Sequence, residues 1–233
     1  MQTMTLHAAR GPSPRAERRE IRAELLGLTV VLVLLNLPLF LGGSTSALAF
    51  RADAVAAGEW WRVFTHPFVH VSWYHLLLDG AAFLALYANL LAPTRGRRLA
   101  ATAVCAAGSL LVALCVSPLI GRLGLCGLSG AGHGLLAFSA LEVLAMPGAD
   151  RATRRFALAS LAGVGIKAIY ELVTGQSFFP GLQFGLLGTP IVACHAGGVL
   201  GGLVAWAYFN LGVAVAVPAP RKSQRRCVKG RAR

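Results

Sequence analysis

The sequence predicts an all-α membrane protein, a bundle of six transmembrane helices. Three observations carry that expectation. The 233 residues are 56% hydrophobic and only 13% charged, and the mean hydropathy of +0.64 lies far above that of a soluble domain. The apolar residues fall in blocks of spanning length rather than being spread as in one globular core. The basic residues gather between those blocks in an alternating pattern. A single membrane domain fits the length.

The spans are expected at about 24–41, 70–91, 99–120, 128–146, 156–174 and 189–211. Each holds roughly 18–23 residues, enough at about 1.5 Å per residue to cross an apolar layer ~30 Å thick. The first is a span and not a cleavable signal, because it is long and no small-x-small cleavage site in a polar context follows closely. The resulting organisation is a basic tail at 1–23, the membrane domain at 24–211 and a second basic tail at 212–233.

Charge gives the orientation. Arg10, Arg15, Arg18, Arg19 and Arg22 lie in the first tail, and Arg95, Arg97 and Arg98 in loop 92–98. Arg151, Arg154 and Arg155 oppose one Asp150 in loop 147–155, and seven basic residues from Arg221 to Arg233 fill the last tail. The opposite loops hold Arg51 and Arg62, then Arg122, then no basic residue in 175–188. By the positive-inside rule both termini face the cytoplasm, and an odd number of spans spoils the alternation. The expected location is a cell membrane, with the bacterial inner membrane as its setting.

The net charge of +13 does not point to nucleic acid, since no basic stripe with interleaved aromatics is present. Basic tails suit anionic lipid headgroups instead. The five cysteines form no CxxC pair, so metal or thioredoxin-like chemistry has no spacing support and no cofactor is expected.

The loop before the second span contains Glu59-Trp60-Trp61-Arg62-Val63-Phe64-Thr65-His66-Pro67-Phe68. Adjacent tryptophans with one acid and one base suit headgroup depth on the non-cytoplasmic side. An aromatic belt and a partly immersed loop beside a site explain it equally well. His66 and His70 are expected to be interfacial.

Polar groups inside hydrocarbon are functional candidates by default. Span two carries His75 and Asp79, four apart and so on one helix face. Span four opens with Gly127-Leu128-Ser129-Gly130, and His133 follows one turn later. Span six carries His195 just before Gly197, Gly198, Gly201 and Gly202. Their overlapping GxxxG spacings, with Gly130 and Gly134 opposite, let spans four and six approach closely. The alternation puts His75, Ser129 and His195 at similar depth, toward the non-cytoplasmic side. A nucleophile with its base follows.

Taken singly, Ser129 suits a helix N-cap and His195 suits a satisfied helix histidine; their common depth favours a site. In span five Lys167 and Glu171 lie four apart, as a self-neutralising intrahelical pair or as part of a gate. Glu142 snorkels toward the cytoplasmic end of span four. Cys126 and Cys194 flank the two central residues. A disulfide between them is the lesser expectation, because neighbours on a helix point roughly 100° apart.

With these residues in order, the sequence resembles the rhomboid family of intramembrane serine proteases. The matching elements are Trp61-Arg62, the pattern His70, His75 and Asp79, the Gly-x-Ser-Gly at 127–130, and His195 before a glycine-rich helix, spanning about 60–205. The Gly-x-Ser-x-Gly elbow of α/β-hydrolases is absent, since Ala131 holds the fifth position. Gly-Leu-Ser-Gly-x-x-His-Gly, the short six-span form and Lys167/Glu171 resemble the rhombosortase branch, which handles proteins with C-terminal Gly-Gly-type sorting tails.

The resemblance implies a six-helix rhomboid-like bundle with Ser129 as nucleophile and His195 as base, a dyad without an aspartate. The Ser129 backbone N–H, His75 and position 79 would face the oxyanion, with Gly127 and His133 as support. The implied partners are the bilayer and membrane-anchored proteins, cut in or near a transmembrane segment after a small residue. Two positions depart from the family. Asp79 stands where asparagine is usual, and an ionised carboxylate repels an oxyanion unless burial protonates it or His75 or His133 pairs with it. His133 stands where many rhomboids stack an aromatic on the catalytic imidazole. A catalytically weak or inactive rhomboid-like protein that binds transmembrane clients is the alternative. A small transporter with Lys167, Glu171 and Asp79 as a relay is the more distant one.

Overall fold

Side-chain caps and apolar runs divide the chain into ten α-helices in a computed structural model that describes residues 14–182, 184 and 188–214. The outer parts of both basic tails, 1–13 and 215–233, lie outside the described residues. In order the helices are α1 (Pro14–Leu35), α2 (Leu37–Phe40), α3 (Ala52–Ala56), α4 (Arg62–Thr65) and α5 (Trp73–Ala88). They continue with α6 (Arg95–Val116), α7 (Ile120–Leu123), α8 (Ser129–Ala145), α9 (Arg151–Thr174) and α10 (Ala193–Ala214). No strand occurs among the described residues, and a lone antiparallel bridge pairs Phe50 with Leu125.

The fold is an all-α membrane bundle. Among the described residues α6 and α9 are each long and apolar enough to cross a membrane. The segment Arg62–Phe68 with α5, bent by 89°, makes a third if the pair is one span. Local capping explains why the helices differ from the expected spans. Ser72 accepts from the His75 N–H, so α5 starts at Trp73 and runs only 16 residues. Thr94 and Asp150 accept from the N–H groups of Arg97 and Thr153 and start α6 and α9 several residues early. Arginines expected in loops thus open helices instead.

The first expected span is broken at Asn36. This buried side chain donates to the carbonyls of Leu32 (2.8 Å) and Phe68 (2.7 Å) and accepts from the His70 N–H (2.9 Å). It therefore ties α1 to the loop that enters α5. The short α2 beyond it carries Pro38 in its first turn, where a missing N–H costs nothing.

Arg98 is fully buried and is not a free topology charge. Its guanidinium grips Glu24 through Nε (2.9 Å) and Nη2 (2.6 Å) and donates to the Ala92 carbonyl (3.0 Å). The Tyr87 hydroxyl donates to the same Glu24 carboxylate at 2.6 Å. α1, α5 and α6 are locked together by one satisfied charge cluster, the form in which a buried pair is tolerated.

The loop before α5 is also built around an arginine. Buried Arg62 donates to Glu59 (2.6 Å) and to the carbonyls of Ser46 (2.7 Å) and Ala49 (2.8 Å), while Trp60, Trp61 and Phe64 face outward. His66 and His70 are not interfacial but buried, at 3% and 0% exposure. His66 Nδ1 donates to the Val63 carbonyl at 3.0 Å.

α10 packs against both α6 and α8, and its glycines make this geometry possible. A Cβ at Gly198 or Gly202 would strike the carbonyl of Gly130 or Gly134 on α8. A Cβ at Gly197 or Gly201 would strike the carbonyl of Gly108 or Val104 on α6. Two overlapping GxxxG stripes thus serve two partner helices, where backbones touch and dispersion replaces side-chain interlock.

Candidate active site

Four of the bundle helices, α5, α8, α9 and α10, each contribute polar side chains to one cavity of about 820 Å³. Ser129, His195, His75, Asp79, His133 and Lys167 all line it. The remaining wall is largely apolar, including Phe178, Phe179 and Leu182 of the segment after α9.

Ser129 is the first residue of α8, and its hydroxyl does not cap the helix. Its N–H is instead accepted by Asp79 Oδ2 from α5, at 3.0 Å. The same oxygen lies 3.1 Å from His75 Nε2 and 3.8 Å from His70 Nε2. His70 and His75 meet edge to face, and neither His70 ring nitrogen has a hydrogen-bond partner among the described residues. The helix N-terminus favours negative charge here. A carboxylate so placed competes with an oxyanion for the Ser129 N–H.

Gly127 holds the approach to the serine. Its φ of +102° suits glycine, and a Cβ there would lie 2.8 Å from His75 Nε2 and 2.9 Å from Asp79 Oδ2. Its N–H donates to the carbonyl of buried His66 at 3.0 Å. The loop expected at the interface thus supports the serine turn from below.

His133 lies one turn into α8 and donates through Nδ1 to the Ser129 carbonyl at 2.7 Å. Its ring stacks on that of His195, with centroids 4.1 Å apart and planes 15° from parallel. Ser129 Oγ makes its side-chain contact with Cys194 Sγ at 4.0 Å, next to His195 in sequence. Among the described residues no hydrogen bond joins Ser129 Oγ to His195 itself. Cys126 and Cys194 are free thiols.

Lys167 and Glu171 do form the expected pair, with Nζ 2.7 Å from each carboxylate oxygen. Sequence reasoning missed the further partner: Glu171 Oε2 lies 2.6 Å from His195 Nδ1. Lys167 Nζ is 3.3 Å from that nitrogen, and the Phe178 N–H donates to Glu171 Oε1 at 3.0 Å. The signal was an acid and a base four apart in an apolar helix; its direction depended on how α9 meets α10.

The ligand atoms of His133, Glu171 and His195 lie within 4.8 Å of one another, a spacing a metal ion would fit. The donor set argues against that role. The Lys167 ammonium already contacts both Glu171 oxygens and approaches His195 Nδ1. Imidazole lone pairs lie in the ring plane, so two stacked rings do not converge on one centre.

The family model described as Rhomboid domain matches residues 57–211, more than half of the chain. No curated protein matches the sequence.

Proposed function

The chain belongs to the rhomboid family, a family of intramembrane proteases acting on membrane proteins within the bilayer, and on that premise we propose that it is a serine endopeptidase with Ser129 as nucleophile and His195 as base. The observation that carries this is the convergence of Ser129, stacked His133 and His195, His75 and Asp79 on one largely apolar cavity. Ser129 Oγ lies 4.0 Å from the residue preceding His195. Catalytic hydrogen bonds in ligand-free sites are commonly long and tighten with substrate.

In the proposed reaction Ser129 Oγ attacks the peptide carbonyl carbon as its proton passes to His195. The carbonyl oxygen becomes an oxyanion, to which the Ser129 N–H would donate once released from Asp79; one such donor contributes about 2.7–4 kcal/mol of transition-state stabilisation. The C–N bond breaks, the proton passes from His195 to the leaving amine, and water releases the acyl group by the same steps in reverse.

The topology follows the apolar blocks and the charge alternation, and the substrate class follows the resemblance. The chain crosses a cell membrane six times with both termini cytoplasmic, as a membrane domain at 24–211 between two basic tails. Its substrates are membrane-anchored proteins with C-terminal Gly-Gly-type sorting tails, as for the rhombosortase branch. The test is a mass-spectrometric comparison of the source cell's membrane-anchored proteins with wild-type and Ser129→Ala enzyme. Tail trimming lost in Ser129→Ala supports the proposal; trimming left intact rejects it.

One observation favours a second function, a rhomboid-like protein that binds transmembrane clients with little or no cleavage. Asp79 occupies the Ser129 N–H at 3.0 Å, where an oxyanion would need it. Clients captured by wild type and Ser129→Ala alike, with no product from either, would favour that alternative.

A further inference from the structure

Rhomboid-type catalysis is expected from a serine and a histidine alone, yet His195 here has a carboxylate against its far side. We propose that Glu171 positions His195, so that the site works as a Ser129–His195–Glu171 triad with Lys167 as the fixed counter-charge. This rests on the assignment of Ser129 and His195 as nucleophile and base.

The geometry exceeds what a self-neutralising helix pair requires. Glu171 is 1% exposed at the α9–α10 contact. It receives Lys167 Nζ on both oxygens at 2.7 Å, the Phe178 N–H on Oε1 at 3.0 Å, and His195 Nδ1 on Oε2 at 2.6 Å. An intrahelical pair alone would need neither of the last two contacts. Four hydrogen bonds from three donor groups also satisfy the buried carboxylate, and a half-satisfied one is costly.

The same contacts fix the histidine tautomer. An ammonium and a backbone N–H only donate. A carboxylate gripped by them has no proton to offer, so the 2.6 Å contact requires the proton on Nδ1 of His195. Lys167 Nζ, at 3.3 Å, would favour a bare Nδ1, but the shorter contact with Glu171 prevails. In the neutral ring Nε2 therefore keeps its lone pair, the form a general base needs. The stack on His133 sets the plane of the ring.

Proton balance through the cycle is simple. Nε2 takes the Ser129 Oγ proton as Oγ bonds to carbon, giving an imidazolium whose Nδ1–H stays on Glu171. Nε2 then releases that proton to the leaving amine as the C–N bond breaks. Glu171 neither gains nor loses a proton. It is a positioning residue and meets no substrate.

The test is the saturable reaction of the full chain in proteoliposomes with a fluorophosphonate probe, resolved into kinact and KI. Glu171→Gln is expected to lower kinact by about 10²- to 10⁴-fold, with KI little changed. The charge-balanced Lys167→Met/Glu171→Gln variant should be as slow. A kinact within about threefold of wild type in a folded variant overturns the triad while leaving nucleophile and base intact. Equal reaction of wild type and Ser129→Ala rejects the nucleophile itself, a separate failure. A measurement on wild type alone covers variants that do not fold: ¹⁵N NMR of neutral His195 should show the Nδ1–H tautomer, and the Nε2–H tautomer overturns the proposal.

Discussion

Glu171 Oε2 lies 2.6 Å from Nδ1 of His195, joining two helices whose residues are 24 apart in sequence. The carboxylate is held there by Lys167, one turn earlier on α9. Lys167→Met leaves Glu171 buried with its main counter-charge gone. Removing one partner of a buried pair costs about 3–5 kcal/mol, and the partial exposure of Lys167 puts this case near the lower end. Thermal melting in detergent should show the double variant Lys167→Met/Glu171→Gln to be more stable than Lys167→Met alone. Additive losses would mean the two charges do not interact.

Gly198 touches the carbonyl of Gly130, so any side chain there must push α10 off α8. Gly198→Val is expected to lower stability by about 1–3 kcal/mol or more and to abolish probe reaction, since the helices it separates carry Ser129 and His195. Gly163→Ala on α9 meets nothing within 4 Å, and helix propensity makes it neutral or slightly stabilising. Equal melting of the two variants would remove the close-approach account of the glycine stripe.

The glycine stripe also measures how far the sequence speaks. GxxxG spacing gave the close approach of α8 and α10 through Gly130, Gly134, Gly198 and Gly202. It did not reveal that Gly197 and Gly201 serve α6, because one stripe fits any small-faced neighbour. Ser129, His195, His75, Asp79 and His133 stood out as polar groups in apolar runs, and the cavity gathers all five. Lys167 and Glu171 were visible as a pair, but the tie to His195 depends on helix rotation, which periodicity does not encode. Helix ends shifted at Ser72, Thr94 and Asp150 because caps act on single residues while hydropathy averages over many. Arg98 reads as a loop charge in sequence because its partner Glu24 lies 74 residues away.

Asp79 Oδ2 sits on the Ser129 N–H at 3.0 Å. Asparagine there keeps the shape, removes the negative charge beside the developing oxyanion and adds a donor. Asp79→Asn should therefore raise the rate of fluorophosphonate reaction by about tenfold, or ~1.4 kcal/mol. A collapse of the rate would show instead that the carboxylate is needed to hold His75, 3.1 Å away.

The most direct test of the central claim is to map the covalent fluorophosphonate adduct by tandem mass spectrometry on the protein in proteoliposomes. The adduct is expected on Ser129, absent in Ser129→Ala and strongly reduced in His195→Ala. An adduct on another residue, or labelling that persists in Ser129→Ala, would contradict the assignment of Ser129 as the nucleophile.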